Sequence, residues 1–167
     1  MKKLLLPMIA FAAMVATVTA GEYKFPKNKP LATITTPSGW KVEEEDDSLD
    51  VTSKDDEIYI NIEPTDTESV EGAIQESMGY LKKNKVKLDT ASMKKTEGKL
   101  NGMDVVDLSF DGTDADGACK VSITILAVTK DKGLIVLYWA SPEGEKKHRK
   151  EIDELVHGVK PIKKGED

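Results

Sequence analysis

Residues 58–81 read IYINIEPTDTESVEGAIQESMGYL, and the apolar period changes inside them. Ile58, Ile60 and Ile62 alternate with Tyr59, Asn61 and Glu63, the period of two that marks a strand with one face toward a core. Beyond Pro64, Val70, Ile74, Met78 and Leu81 recur at about 3.6 residues and share one side of a helix. Thr65 and Glu68 have the spacing of a capping box and Asn84 is a stop, so a helix is expected over 66–84. Gly72 and Gly79 each weaken it by about 1 kcal/mol relative to alanine, so its stability must come from packing on a sheet.

Working outward toward the N-terminus, Leu49 with Val51, Trp40 with Val42, and LATIT at 31–35 are three more short strands. With residues 58–63 they suggest a four-stranded meander. Toward the C-terminus, strands are expected at 87–97, around Val106, Leu108 and Phe110, at 118–129 and at 133–140. Asn101-Gly102 and Asp131-Lys132-Gly133 have hairpin-turn chemistry. GLIVLYWA, residues 133–140, is apolar at both parities, as a central strand covered on both faces requires. Ser141 as N-cap and Pro142 at the first helical position open a last helix, with an inner stripe of His148, Ile152, Leu155, Val156 and Val159. Gly158 is read as its C-terminal cap and Pro161 as its end. The fold class is α+β: an antiparallel sheet with helices packed on its faces, in the order ββββ-α-ββββ-α.

Met1-Lys2-Lys3, an apolar run over 4–18 and small residues at 18 and 20 have the form of a secretory signal peptide, residues 1–20, cleaved after Ala20. Residues 21–30 follow as an extended leader, residues 31–162 as one domain and residues 163–167 as a charged tail. The expected location is the periplasm or the outside of the cell, with no membrane attachment once the signal is removed, since no cysteine follows the apolar run. Without Lys2 and Lys3 the chain carries 22 basic against 30 acidic side chains, a formal charge of −8, which disfavours nucleic acid as a partner. Cys119 is the single cysteine and falls on the strand face of Val121, Ile123 and Ile125, so it reads as a buried apolar filler.

A strand leading into Thr36-Pro37-Ser38-Gly39-Trp40, this element order and a closing C-terminal helix resemble the PsbP-like family. Its fold is shared by the oxygen-evolving extrinsic protein of photosystem II, a yeast Ran-binding protein and exported bacterial proteins. The resemblance covers residues 31–162 and implies a scaffold that binds proteins or small ligands and usually catalyses nothing. It transfers no functional residues, because members use different surfaces. From its own chemistry, Trp40 reads as an anchor of the strand start in the core.

The chemistry-bearing residues are sparse. There is no G-x-S-x-G nucleophile turn. His148 sits on the inner stripe of the last helix and His157 off it, near the end, where a cation suits the helix dipole. Two distant histidines and one cysteine have no zinc-ligand spacing, so no metal, cofactor or enzyme activity is expected. Residues 42–68 hold twelve acids against Lys54, and residues 82–99 hold seven lysines against two acids. That asymmetry makes Trp40, Glu43, Glu44, Glu45, Asp46 and Asp47 candidate partner contacts, although solvated loops and protected sheet edges account for the same pattern. DGTDADG, residues 111–117, suggests a calcium loop, but aligning Gly117 with loop position 6 puts Gly112 at position 1 and Ile123 at position 12. Its flanks alternate as strands, so it reads as a hairpin tip, with Asp114 and Asp116 as weak ion contacts at most.

Three functions follow in order: an exported non-catalytic binding domain for an unknown protein or small ligand; a carrier of a small apolar ligand or lipid in a sheet–helix cleft, which needs an open apolar pocket; and a hydrolase, which needs an acid, a base and a nucleophile in one cleft.

Overall fold

The computed structural model describes residues 20–162; the expected signal peptide and the expected charged tail fall outside those residues except for Ala20. The elements in chain order are β1 (Glu22–Phe25), β2 (Ala32–Thr35), β3 (Lys41–Glu44), β4 (Leu49–Thr52), β5 (Ile58–Asp66), α1 (Val70–Lys83), β6 (Lys87–Leu100), β7 (Met103–Thr113), β8 (Ala118–Ala127), β9 (Lys132–Ala140), α2 (Pro142–Lys147), α3 (Arg149–Gly158) and β10 (Val159–Pro161). Seven strands form an antiparallel sheet in the order β3-β4-β5-β9-β8-β7-β6, and β1-β2-β10 form a second, smaller one. The fold is α+β.

Strand β9, the GLIVLYWA run, lies between β5 and β8. Its two parities serve two cores. Leu134, Val136 and Ala140 pack with Ile60, Ile62 and Leu126 on one face; Ile135 and Leu137 pack with Val121, Ile123 and Phe110 on the other. Helix α1 closes the second face with Ile74, Met78 and Leu81. The first face is covered by Leu155 and Ile152 of α3 and by Phe25, Ile34 and Val159 of the small sheet. Trp40 is 4 % exposed and belongs to this first core, as an anchor of the β3 start.

The structure departs from the sequence reading in several places. The strand at 31–35 leaves the expected meander and pairs instead with β1 and β10, so only β3, β4 and β5 follow one another in the large sheet. Residues 21–30 are not a leader outside the domain: Glu22–Phe25 pair with Thr35–Ala32, and Phe25 is fully buried. The capping box fails because Thr65 and Asp66 remain in β5, opposite Gly133 and Lys132; a 3-10 turn at Thr67–Ser69 then leads into α1 without a side-chain cap. Pro64 is tolerated inside β5 because β4 has ended opposite Ile62 and that edge has no neighbour.

The last helix breaks at His148 into α2 and α3, and Pro161 lies in β10. Gly158 is required by proximity: a Cβ there would lie 2.9 Å from Thr35 Cβ and 3.0 Å from its carbonyl oxygen. Val156, expected on the inner stripe, is 40 % exposed. The β6–β7 turn is as expected, with Asn101 at φ 49° and Gly102 at φ 87°.

Because Phe25 fills the first core, Phe25→Ala is expected to destabilise the domain by about 3–5 kcal/mol. Urea denaturation of a chain starting at residue 21 checks this, and a mobile leader would give no change.

Candidate functional site

The helices α2 and α3 are fixed to the rest of the fold at their two ends. At the start, Ser141 accepts from Gly144 N at 2.8 Å and donates to a Glu57 carboxylate oxygen, and Ser141 N donates to the Glu57 carbonyl at 3.0 Å. At the break, His148 Nε2 lies 3.0 Å from both carboxylate oxygens of Asp55, and Lys147 Nζ lies 2.5 Å from Oδ2. The His148 ring stands edge-on to Trp40, with centroids 5.6 Å apart. At the far end, Asn101 Nδ2 donates to the carbonyls of His157 at 3.0 Å and Val159 at 2.7 Å.

Between these anchorages the helix does not settle on the sheet. A groove of about 670 Å³ runs beneath it, floored by Ile60, Ile62, Leu126 and Val136 and walled by Ile152 and Leu155. Residues 96–100 of β6 form the opposite rim. One end is polar: Thr124 Oγ1 donates to Asp107 at 2.6 Å and the Tyr138 hydroxyl donates to Glu145 at 3.2 Å. Burial, with the Glu145 charge beside it, pushes the Tyr138 phenol well above its ordinary range, so it stays protonated. Asp107, Ser122, Tyr138 and Glu145 also border a second cleft of about 320 Å³, which continues over Ser109 and Lys120.

On the other face Ile74, Met78 and Leu81 of α1 pack directly against Val121, Ile123 and Ile135, which differs from the space beside α3. The difference follows from strand chemistry. On β8, Cys119, Val121 and Ile123 point toward α1, whereas Lys120, Ser122 and Thr124 occupy the alternate positions and only Leu126 is apolar. A face with that many polar positions does not draw a helix down onto it. This half of the ACKVSITILA pattern was the available signal for the groove; the sequence reading used only the apolar half.

The other candidate residues are dispersed. Trp40 is buried and unavailable to a partner, which removes it from the expected contact set. Glu43 and Glu44 lie on β3, the edge strand, and Glu45, Asp46 and Asp47 on the turn after it; all five are exposed. Cys119 is buried beneath α1, and burial followed by the Asp114 charge pushes its thiol up to about 11. His157 is exposed, with Nδ1 2.8 Å from the Asp153 carbonyl. His148 does meet an aspartate, Asp55, which in turn bonds a serine, Ser53; sequence reasoning did not connect either with it. The Ser53 hydroxyl, however, donates to Asp55 at 2.8 Å and accepts from Ile58 N at 3.0 Å, so it is turned away from the imidazole it would need as a base. The group acts as a latch between the β4–β5 turn and the helix break.

DGTDADG is the β7–β8 hairpin tip. Asp114 N donates to the Gly117 carbonyl at 2.9 Å, and Asp114 Oδ1 accepts from the backbone of Asp116 and Gly117 at 2.9 and 3.1 Å. Its other oxygen accepts from Trp139 Nε1 at 2.8 Å, so both oxygens of Asp114 are already engaged by protein donors.

The strand order and helix placement have counterparts among solved structures. The chain aligns with cyanobacterial PsbP (CyanoP) of Synechocystis over 92% of its own length and 99% of that protein, with a TM-score of 0.58 at 7% identity. The fold is PsbP-like. LpqN of Mycobacterium tuberculosis, a protein involved in cell envelope biogenesis, aligns over 82% of this chain and 88% of its own, with a TM-score of 0.55 at 11% identity. A protein of Bacteroides thetaiotaomicron aligns over 90% of this chain with a TM-score of 0.58 at 14% identity; the chain spans 51% of that protein's length. No family model and no curated protein matches the sequence. At these identities the PsbP-like likeness concerns architecture, and function has to be argued from the groove.

The latch predicts an acid response. Lys147 first, then His148, hold the Asp55 carboxyl well below its ordinary value of 3.8. A carboxyl lowered in the folded state contributes stability above that ordinary value and loses it as pH falls below it. Asp55→Asn should therefore cost about 1–2 kcal/mol near neutrality and progressively less below about pH 4. Thermal unfolding of both forms from neutral to acid pH checks this; a constant difference would remove the latch.

Proposed function

We propose that the protein is an exported, non-catalytic binding module that carries a small apolar or amphiphilic ligand in the groove between the sheet and α3. The observation that supports this reading is the groove itself: about 670 Å³ over an apolar floor, left open by a helix anchored at both ends. The volume is within the usual ligand-pocket range of roughly 300–1,000 Å³. An apolar floor favours a hydrocarbon ligand by about 25 cal/mol for each Å² removed from water. Export rests on the N-terminal sequence, and an envelope location agrees with the involvement of LpqN in cell envelope biogenesis. Among the described residues no helix is long and apolar enough to cross a membrane.

Within this reading the acidic edge at 43–47 has a different task. Edge strands expose unpaired backbone groups, and carboxylates there discourage pairing with another sheet. With Trp40 buried, that region has no aromatic anchor for a protein partner.

Val136 is half-buried on the groove floor, where a larger ring takes up the ligand's space. In a fluorescence titration with the polarity-sensitive dye anilinonaphthalene sulfonate, the folded mature chain should bind saturably, and Val136→Trp should weaken binding about tenfold or more with cooperative unfolding retained. Tyr80→Ala, on the exposed side of α1, should leave binding unchanged. Absence of saturable binding, or equal binding by Val136→Trp, would reject the groove as a ligand site.

A further inference from the structure

Arg149 is the one arginine in a chain with 24 basic residues, and it lines the groove at the first position of α3. Lys146 lines the same stretch one turn earlier, and Lys99 faces them from the β6 rim. The neighbouring charges are mostly engaged with other groups. Lys99 pairs with Asp104 at 2.6 Å and Glu97 with Lys95 at 2.6 Å; Asp107 and Glu145 accept the Thr124 and Tyr138 hydroxyls. Arg149 is exposed and, among the described residues, makes no ion pair, although Glu145 and Asp153 stand four residues before and after it. The next residue on the helix, Lys150, does pair one turn along, with Glu154 at 3.6 Å.

A guanidinium differs from an ammonium in what it recognises: its planar fork matches the two oxygens of a carboxylate with two parallel hydrogen bonds. Placed beside an apolar floor, that fork selects a molecule with a hydrocarbon body and a carboxylate end. Resting on the groove reading above, we infer that the ligand is a single-chain fatty carboxylate. Its chain lies over Leu126 and Val136 beneath α3, and its head is held at the rim by Arg149 with Lys146 beside it. Lys99 can join by exchanging its exposed partner Asp104, since exposed ion pairs are weak.

Dodecanoate, dodecanol, dodecyl phosphate and dodecyltrimethylammonium, each below its micelle concentration, separate the tail from the head when titrated calorimetrically into the mature chain. Dodecanoate should bind about tenfold tighter than dodecanol, the size of one charge-assisted bidentate contact at a partly exposed site. Arg149→Gln should abolish that preference while leaving dodecanol affinity unchanged, and Arg149→Lys should restore part of it. Equal affinity for dodecanoate and dodecanol, tighter binding of the ammonium, tighter binding of the phosphate, or an unchanged preference in Arg149→Gln would each overturn the head assignment with the groove reading intact. Failure of all four to bind would remove the groove reading and this inference together.

Discussion

Strand β9 is apolar at both parities from Leu134 to Leu137, and the architecture is organised by that constraint. A strand apolar at both parities must lie inside a sheet and must be covered above and below. Its neighbours β5 and β8 supply the lateral pairing, and their own apolar parities double the two cores it starts. One cover is a single amphipathic helix, α1. The other is assembled from separate pieces: α3, the small sheet and the buried Trp40.

That composite cover explains why the groove occurs on one side only. A helix that carries its own apolar stripe, as α1 does with Ile74, Met78 and Leu81, closes on the sheet wherever the sheet is apolar. The helix α3 buries Leu155 in the first core and is also held by bonds at its ends, through His148 and Asp55 at one and Asn101 at the other, while beside it the floor turns polar at Thr124 and Ser122 and the groove stays open. Directional bonds fix position without demanding contact, whereas apolar burial demands contact. The site lies where the first kind of constraint takes over from the second.

Much of this was legible in the sequence. The change of period within 58–81 marks β5 and α1, the GLIVLYWA run marks the central strand, and the DGTDADG flanks separate a hairpin from a calcium loop. What escaped were features decided by distant partners. Glu22–Phe25 has little apolar periodicity, and only its pairing with β2 makes it a strand. Thr65 and Asp66 carry capping chemistry but are held in β5 by the length of β9. His148 sits on an apolar stripe, yet its partner Asp55 lies in a turn 93 residues away, beyond the reach of any local pattern. The groove belongs to the same class, since it depends on where α3 is tied as well as on what α3 contains.

The small sheet joins the two ends of the described chain. Thr33 and Lys160, hydrogen-bonded across the β2–β10 pair, are 127 residues apart, and β1 flanks β2 on the other side. Val159 and Phe25 belong to one core, so neither end can peel away without opening the space the other fills. A chain emerging N-terminus first cannot complete this layer until almost all of it is available. The order of synthesis therefore puts the closing pair last, because β10 is made after every other strand of the described chain.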